Sequence, residues 1–234
     1  LIMHSRKESN EFINNLLQKA SLSEERQKSV LGKVIIELLS LENNDKNNKI
    51  AESATKKLKI TAFSNFSEIS WEIVAQLLTS PLNNNRFLAS EILLSKSEKY
   101  PITEIPLSII ELLLSNENES VRQNGISLFN QYPKEEIGRN WSQILALLSS
   151  NYKEVAEIVF TLNDHLGVQS ENQLQIVEKL FEMLMREQQF ENSHQLFRDY
   201  LENSAPKYID NIPVKWILRI LFADSVKNQL FGFE

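Results

Sequence analysis

Apolar residues recur three and four positions apart along most of this chain, in stretches interrupted by short polar runs. That spacing gathers them on one face of a helix. In the middle of the chain, Ile109, Ile110, Leu112, Leu113 and Leu114 make a wide apolar face, and Ser115 to Ser120 is a polar turn. A second stretch follows with Val121, Gly125, Leu128 and Phe129 on one face. It closes at Tyr132-Pro133, because proline disfavours helix at the residue before it. The preceding segment reads the same way: Trp71, Ile73, Val74, Leu77 and Leu78, a polar run from Ser80 to Asn85, then Phe87, Leu88, Ile92 and Leu93. So does the next, with Trp141, Ile144, Leu145, Leu147 and Leu148, then Ser149 to Asn151, then Val155, Ile158, Val159 and Leu162.

The leucine-rich first stretches end at Ser80, Ser115 and Ser150, a constant spacing of 35 residues. Self-similarity at this period marks a stack of similar supersecondary units. An earlier copy, Val34 to Ser40, lies 40 residues before Ser80, the excess absorbed by the polar run Glu42 to Asn48. Later, Leu174, Val177, Phe181 and Leu184 pair with Leu196, Phe197, Tyr200 and Leu201. A last apolar helix carrying Trp216 starts behind Pro213, a favourable place for proline. Phe12, Ile13, Leu16 and Leu17 predict a further helix over 9–20. The expected organisation is a single helical-repeat domain over 1–234. It comprises an N-terminal cap (1–23), helical hairpins at 24–60, 67–100, 105–133, 141–164 and 171–203, and a terminal helix (213–234). Helices are expected to break near 41–48, 80–85, 115–120, 149–153 and 164–170.

The run from Leu112 through the acidic-polar turn to Val121-Arg122, Gly125, Leu128 and Phe129 resembles the HEAT/armadillo-like superfamily of helical repeats. Residues 71–164 carry the likeness well and 24–60 and 171–223 loosely. The resemblance implies an all-α, right-handed α-solenoid of about five HEAT-like helical hairpins with terminal capping helices. It also implies that Arg86 and Arg122, in matching places after the inter-helix turn, bridge to an acidic or amide group of a neighbouring unit. The nearest competitor is a tetratricopeptide array, whose Trp-x-x-Leu-Gly-x-x-Tyr opening is absent.

Composition agrees with helices: 42% of the 234 residues are apolar, and there are only 5 Gly and 6 Pro to break them. The absence of cysteine excludes a disulfide framework, a thiolate nucleophile and a thiolate zinc site, and fits a cytoplasmic location. No apolar run approaches the length of a membrane span. The chain opens on Leu1 and ends on the apolar Leu230 to Phe233, which reads as a piece of a longer protein. Net charge is −6, with 14 basic and 15 acidic residues in 1–117 and 11 and 16 in 118–234. That balance argues against general nucleic-acid binding.

The concentrated basic patch is Lys46, Lys49, Lys56, Lys57 and Lys59 against a single Glu52. It is either a solvated helix face or a docking surface for an acidic partner. Glu187 and Glu191 precede His194 at spacings that bring carboxylate and imidazole together on a helix, but a di-metal bundle needs a second such pair and none exists. No Ser/His/Asp grouping, glycine-rich phosphate loop or catalytic carboxylate pair stands out. Catalytic residues, cofactors, metals and small-molecule substrates are therefore not expected. Trp71 and Trp141 are two periods apart, and with Trp216 they open first helices, which points to core between repeats. The turn residue Asn118 is expected to matter little for stability.

The leading functional reading is a non-catalytic scaffold that binds another protein, one with an acidic surface, along the face formed by successive second helices. The expected contact residues are Lys49, Glu52, Lys56, Ser90, Arg122 and Ser127. A spacer or regulatory segment of a larger protein is the alternative. A nucleic-acid-acting enzyme on the same scaffold is a third reading, opposed by the acidic balance.

Overall fold

The computed structural model describes residue 15 and residues 24–166, 170–204, 212–222 and 228–229 of the chain. Twelve α-helices and no strand occur among the described residues. They are α1 (Glu24–Ser40), α2 (Asp45–Ala62), α3 (Trp71–Leu78), α4 (Asn83–Lys99), α5 (Leu107–Leu114) and α6 (Glu119–Phe129). Then follow α7 (Lys134–Arg139), α8 (Trp141–Ala146), α9 (Lys153–Leu166), α10 (Ser170–Leu184), α11 (Ser193–Ser204) and α12 (Val214–Leu221). The breaks between α1 and α2, α3 and α4, α5 and α6, α8 and α9, and α9 and α10 fall where the polar runs predict them. Of the helix expected over 9–20, residue 15 is described and is helical; the rest lies outside the described residues.

The turns hold because they carry their own hydrogen-bond acceptors. Asn118 caps α6, its Oδ1 accepting from the Ser120 N–H at 2.9 Å. Asn44 does the same for α2, accepting from the Asn47 N–H at 3.0 Å. Such side chains satisfy N–H groups that have no partner inside the helix. Three prolines, Pro106, Pro133 and Pro213, stand immediately before α5, α7 and α12 with φ near −57°, −59° and −56°. A proline there loses nothing, since its missing N–H is not needed for the first turn.

Two compact units divide between Tyr132 and Pro133. In the first, the helical periodicity becomes a core: Leu31, Val34, Ile35 and Leu38 of α1, Ala51, Ala54 and Leu58 of α2, and Leu88, Ile92 and Leu93 of α4 are all buried. The pairs α1–α2, α3–α4 and α5–α6 each pack together, and the second helices also pack in series, α2 on α4 and α4 on α6. Helix α4 is consequently enclosed on several sides. Gly125 sets the closeness of α5 and α6, because a Cβ there would stand 2.9 Å from Leu113 Cβ. Leu112, expected in the apolar face, is instead 43% exposed, on the side of α5 away from Ile110, Leu113 and Leu114.

In the second unit, α8 passes into a 3₁₀ turn, Leu147–Ser149, that packs with α9. Phe160 of α9 stacks on Tyr200 of α11 with ring centroids 4.2 Å apart and meets Phe197 edge-on at 6.4 Å. The pair α10–α11 packs together, burying Ile176, Val177, Leu180, Phe181 and Leu184 against Phe197 and Leu201. The short helix α7 has no counterpart in the periodic reading, since Ile137 is the one buried residue among those of its side chains that are described.

Candidate interaction surface

Helix α2 has two differently equipped sides. Ile50, Ala51, Ala54 and Leu58 face inward, whereas Lys46, Lys49, Glu52, Lys56, Lys57 and Lys59 are exposed together with Ile60, which is 85% exposed. Lys56 pairs with Glu52 one turn earlier at 2.6 Å. That hydrogen bond, then the Lys56 charge, and lastly the Lys49 charge hold the Glu52 carboxyl below the usual carboxylate range. Glu52 thus neutralises part of the patch, and Lys46 and Lys49 extend it toward the start of the helix.

The inner edge of α2 is fastened to α4 by polar contacts. Asn84 Nδ2 donates to the Asn48 carbonyl at 3.0 Å, and Thr55 Oγ1 to the Asn84 carbonyl at 3.5 Å. Lys59 reaches the buried Glu91 at 2.8 Å. Asn124 of α6 completes the line, donating from Nδ2 to Glu91 Oε1 at 3.0 Å and to Ser90 Oγ at 2.9 Å. A carboxylate this deeply buried is tolerable only with such partners. Lys59, Glu91 and Asn124 therefore tie three successive second helices into one polar seam.

Of the six expected contact residues, Lys49, Glu52, Lys56 and Ser127 are exposed. Ser90 and Arg122 are not. Ser90 is fully buried in the seam, its hydroxyl donating to the Phe87 carbonyl at 2.8 Å. Arg122 is buried with its guanidinium on the Asn116 and Glu117 carbonyls, each at 2.9 Å. Arg86 likewise binds the Ser80 carbonyl at 3.1 Å and the Asn83 side chain. Each of these contacts staples an arginine to the turn of its own pair, the place where helix-end carbonyls need donors. Links between neighbouring pairs include the Lys59–Glu91 ion pair and two amides: Asn85 Nδ2 reaches the Leu38 carbonyl at 3.0 Å, and Asn124 reaches Glu91.

The tryptophans do not share one environment. Trp141 is buried, Trp216 is half-buried, and Trp71 is 39% exposed. Trp71 lies 4.7 Å from the ammonium of Lys96, which is buried, donates to the Ser67 carbonyl at 2.8 Å and sits 5.7 Å from the Tyr100 ring. Burial pushes the Lys96 pKa down, against the opposing charges of Glu68 and Glu104. This lysine anchors the 3₁₀ segment Phe63–Glu68 to α4.

His194 is buried near the start of α11, whereas Glu187 and Glu191 are exposed and precede the helix, so they do not share a helical face with it. The side chain of His165 lies outside the described residues, as does His4. Among the described residues no group of three or more His, Cys, Asp or Glu is placed to hold a metal ion. No helix among them is long and apolar enough to cross a membrane.

The seam was hidden from periodic reading because Ser90 and Glu91 look like a solvent-facing pair. A usable signal was present: Lys59, Glu91 and Asn124 stand 32 and 33 residues apart, close to one repeat. No family model and no curated protein matches the chain. Among solved structures it is similar to an engineered protein from the Northeast Structural Genomics Consortium. The identity is 18% over 100% of this chain and 93% of that one, with a TM-score of 0.33. That likeness is too distant to bear on function. The described residues by themselves define an all-α protein built of paired helices.

Proposed function

We propose that this chain is a HEAT-like α-solenoid that serves as a non-catalytic scaffold in the cytoplasm, binding an acidic protein partner along the lysine face of α2. The series packing of α2, α4 and α6 supports the repeat assignment, because consecutive second helices line one side of such arrays. The observation that carries the binding reading is the concentration of exposed lysines, at 46, 49, 56, 57 and 59, on one helix of a chain with net charge −6. Its partner surface includes Lys46, Lys49, Glu52, Lys56 and Lys57, with Ser127 on the exposed side of α6. Ile60 adds apolar area beside the charges, as interface centres require.

Synthetic poly-glutamate tests the charge selectivity. Binding by isothermal titration should weaken as salt rises, since exposed charges are screened beyond about 8 Å at physiological ionic strength. Lys46→Glu, Lys49→Glu and Lys57→Glu together should abolish it, while duplex DNA binds weakly and without sequence preference. Equal binding by the wild-type and reversed proteins contradicts the proposal, and a tight sequence-selective DNA complex replaces it with the nucleic-acid reading.

A further inference from the structure

The second unit contains a hydrogen-bond arrangement that works only with one protonation state of His194. Asn228 is fully buried and touches three groups. Its Nδ2 donates to the Leu184 carbonyl at 2.6 Å and lies 3.1 Å from His194 Nδ1, while its Oδ1 accepts from the Arg198 guanidinium. The amide cannot turn over. A guanidinium offers only donors, so the amide oxygen must face Arg198; a carbonyl offers only acceptance, so the amide nitrogen must face Leu184. Nδ1 is therefore met by an N–H group and must present its lone pair. The imidazole is held neutral, with its proton on Nε2.

We propose that His194, Asn228 and Arg198 form an acid-sensitive latch that fastens the segment at 228–229 onto α10 and α11 and releases it when the imidazole is protonated. Protonation sets Nδ1–H against the Asn228 N–H; turning the amide to relieve this clash breaks the bond to Leu184 or to Arg198, and turning the ring sets Cδ2–H against the amide and forfeits the His194 bond. Surrounding charges give no relief. Burial of the ring opposes a positive charge most strongly; the Arg186 carbonyl favours one, the Arg198 charge on the same helix opposes it to a smaller degree, and the Met183 carbonyl favours it least. On α10, Glu182 is already engaged by Lys179 and Arg186. Glu187 and Glu191 of the connection and Asp199 of α11 are exposed, and the cations of α12, Lys215 and Arg219, lie over Trp216.

The sign follows from linkage. The folded pKa of His194 lies below its ordinary value of 6.5, so below pH 6.5 the open state binds more protons than the closed one. The latch is intact above that pH and weakens as pH falls toward the folded pKa. Each pH unit in this window lowers the closed-to-open ratio by up to about tenfold.

Nitrogen-15 NMR of the full chain between pH 8 and 5 tests this. At pH 8 the His194 ring should carry its proton on Nε2, and the Asn228 side-chain amide should exchange slowly with solvent. As His194 protonates, that protection should be lost in step. Asn228→Asp supplies acceptors where the N–H stood, so in that variant His194 should titrate above 6.5 instead of below it. A proton on Nδ1 at pH 8, or Asn228 protection that persists through His194 protonation, overturns the proposal; the wild-type titration decides even if the variant does not fold.

Discussion

The two units place polar groups in their interiors for different ends. In the first, Lys59, Glu91 and Asn124 join three helices through a charge pair and an amide. The buried Glu91 carboxylate is held by both the Lys59 ammonium and the Asn124 amide, so the seam acts as a fastening between helices. In the second, Arg198, Asn228 and His194 meet through an amide whose orientation leaves a neutral imidazole as the remaining acceptor. A buried amide whose bonds are all made in one protonation state of its neighbour is strong there and costly in the other. The contrast teaches that burial alone does not decide whether a polar cluster stabilises or switches; the titratable member does.

The largest expected effect removes part of the apolar frame of the first unit. Leu113→Ala in the first unit should cost about 2–5 kcal/mol in urea unfolding, the range for truncating a buried leucine. Its cost should be the same at pH 7.5 and 6, because the truncation removes apolar packing of a fully buried side chain. Gly125→Ala comes next, at about 1–3 kcal/mol, since the new methyl meets Leu113 Cβ at 2.9 Å and a packed backbone must shift. An unchanged urea midpoint would show that α5 and α6 do not approach so closely.

Smaller effects sharpen the comparison. Asn118→Ala should cost about 1 kcal/mol, the usual value of a helix N-cap. The sequence pattern alone marks Asn118 as a neutral turn residue; its bond to Ser120 revises that. The carboxyls of Glu52 and Glu68 are held low chiefly by hydrogen bonds from Lys56 and Lys99. Their contributions are present above the ordinary carboxylate value of 4.5 and disappear as pH falls through the lowered folded values. Amide exchange followed from pH 8 to 4 should therefore show residues 184–198 loosening below 6.5, before residues 45–99 respond. Simultaneous loosening would contradict the distinction between the two networks.

The architecture was more legible than the surface. Helix breaks and the packed faces of Leu113 and Leu128 follow from period and punctuation, which act locally; the close approach at Gly125 comes from the structure. Exposure at α4 does not. Its packing against α2, α3 and α6 encloses Ser90 and Glu91, so a mid-helix polar pair that reads as solvent-facing is interior. The same is true of Arg122, whose long side chain folds back to a turn that the pattern treats as solvated. The latch depends on Leu184, His194, Arg198 and Asn228 meeting across 44 residues of chain, a juxtaposition that only tertiary structure supplies.

The account rests most heavily on α2, α4 and α6 stacking in series, with Glu91 coupled to Asn124 across the last step. A double-mutant cycle of Glu91→Ala and Asn124→Ala, read by urea denaturation of the full chain, measures that coupling directly. The predicted interaction energy is about 0.5–3 kcal/mol, as for residues sharing one buried network. Single-variant losses that simply add, within about 0.3–0.5 kcal/mol, would contradict the seam and with it the stacked arrangement of second helices.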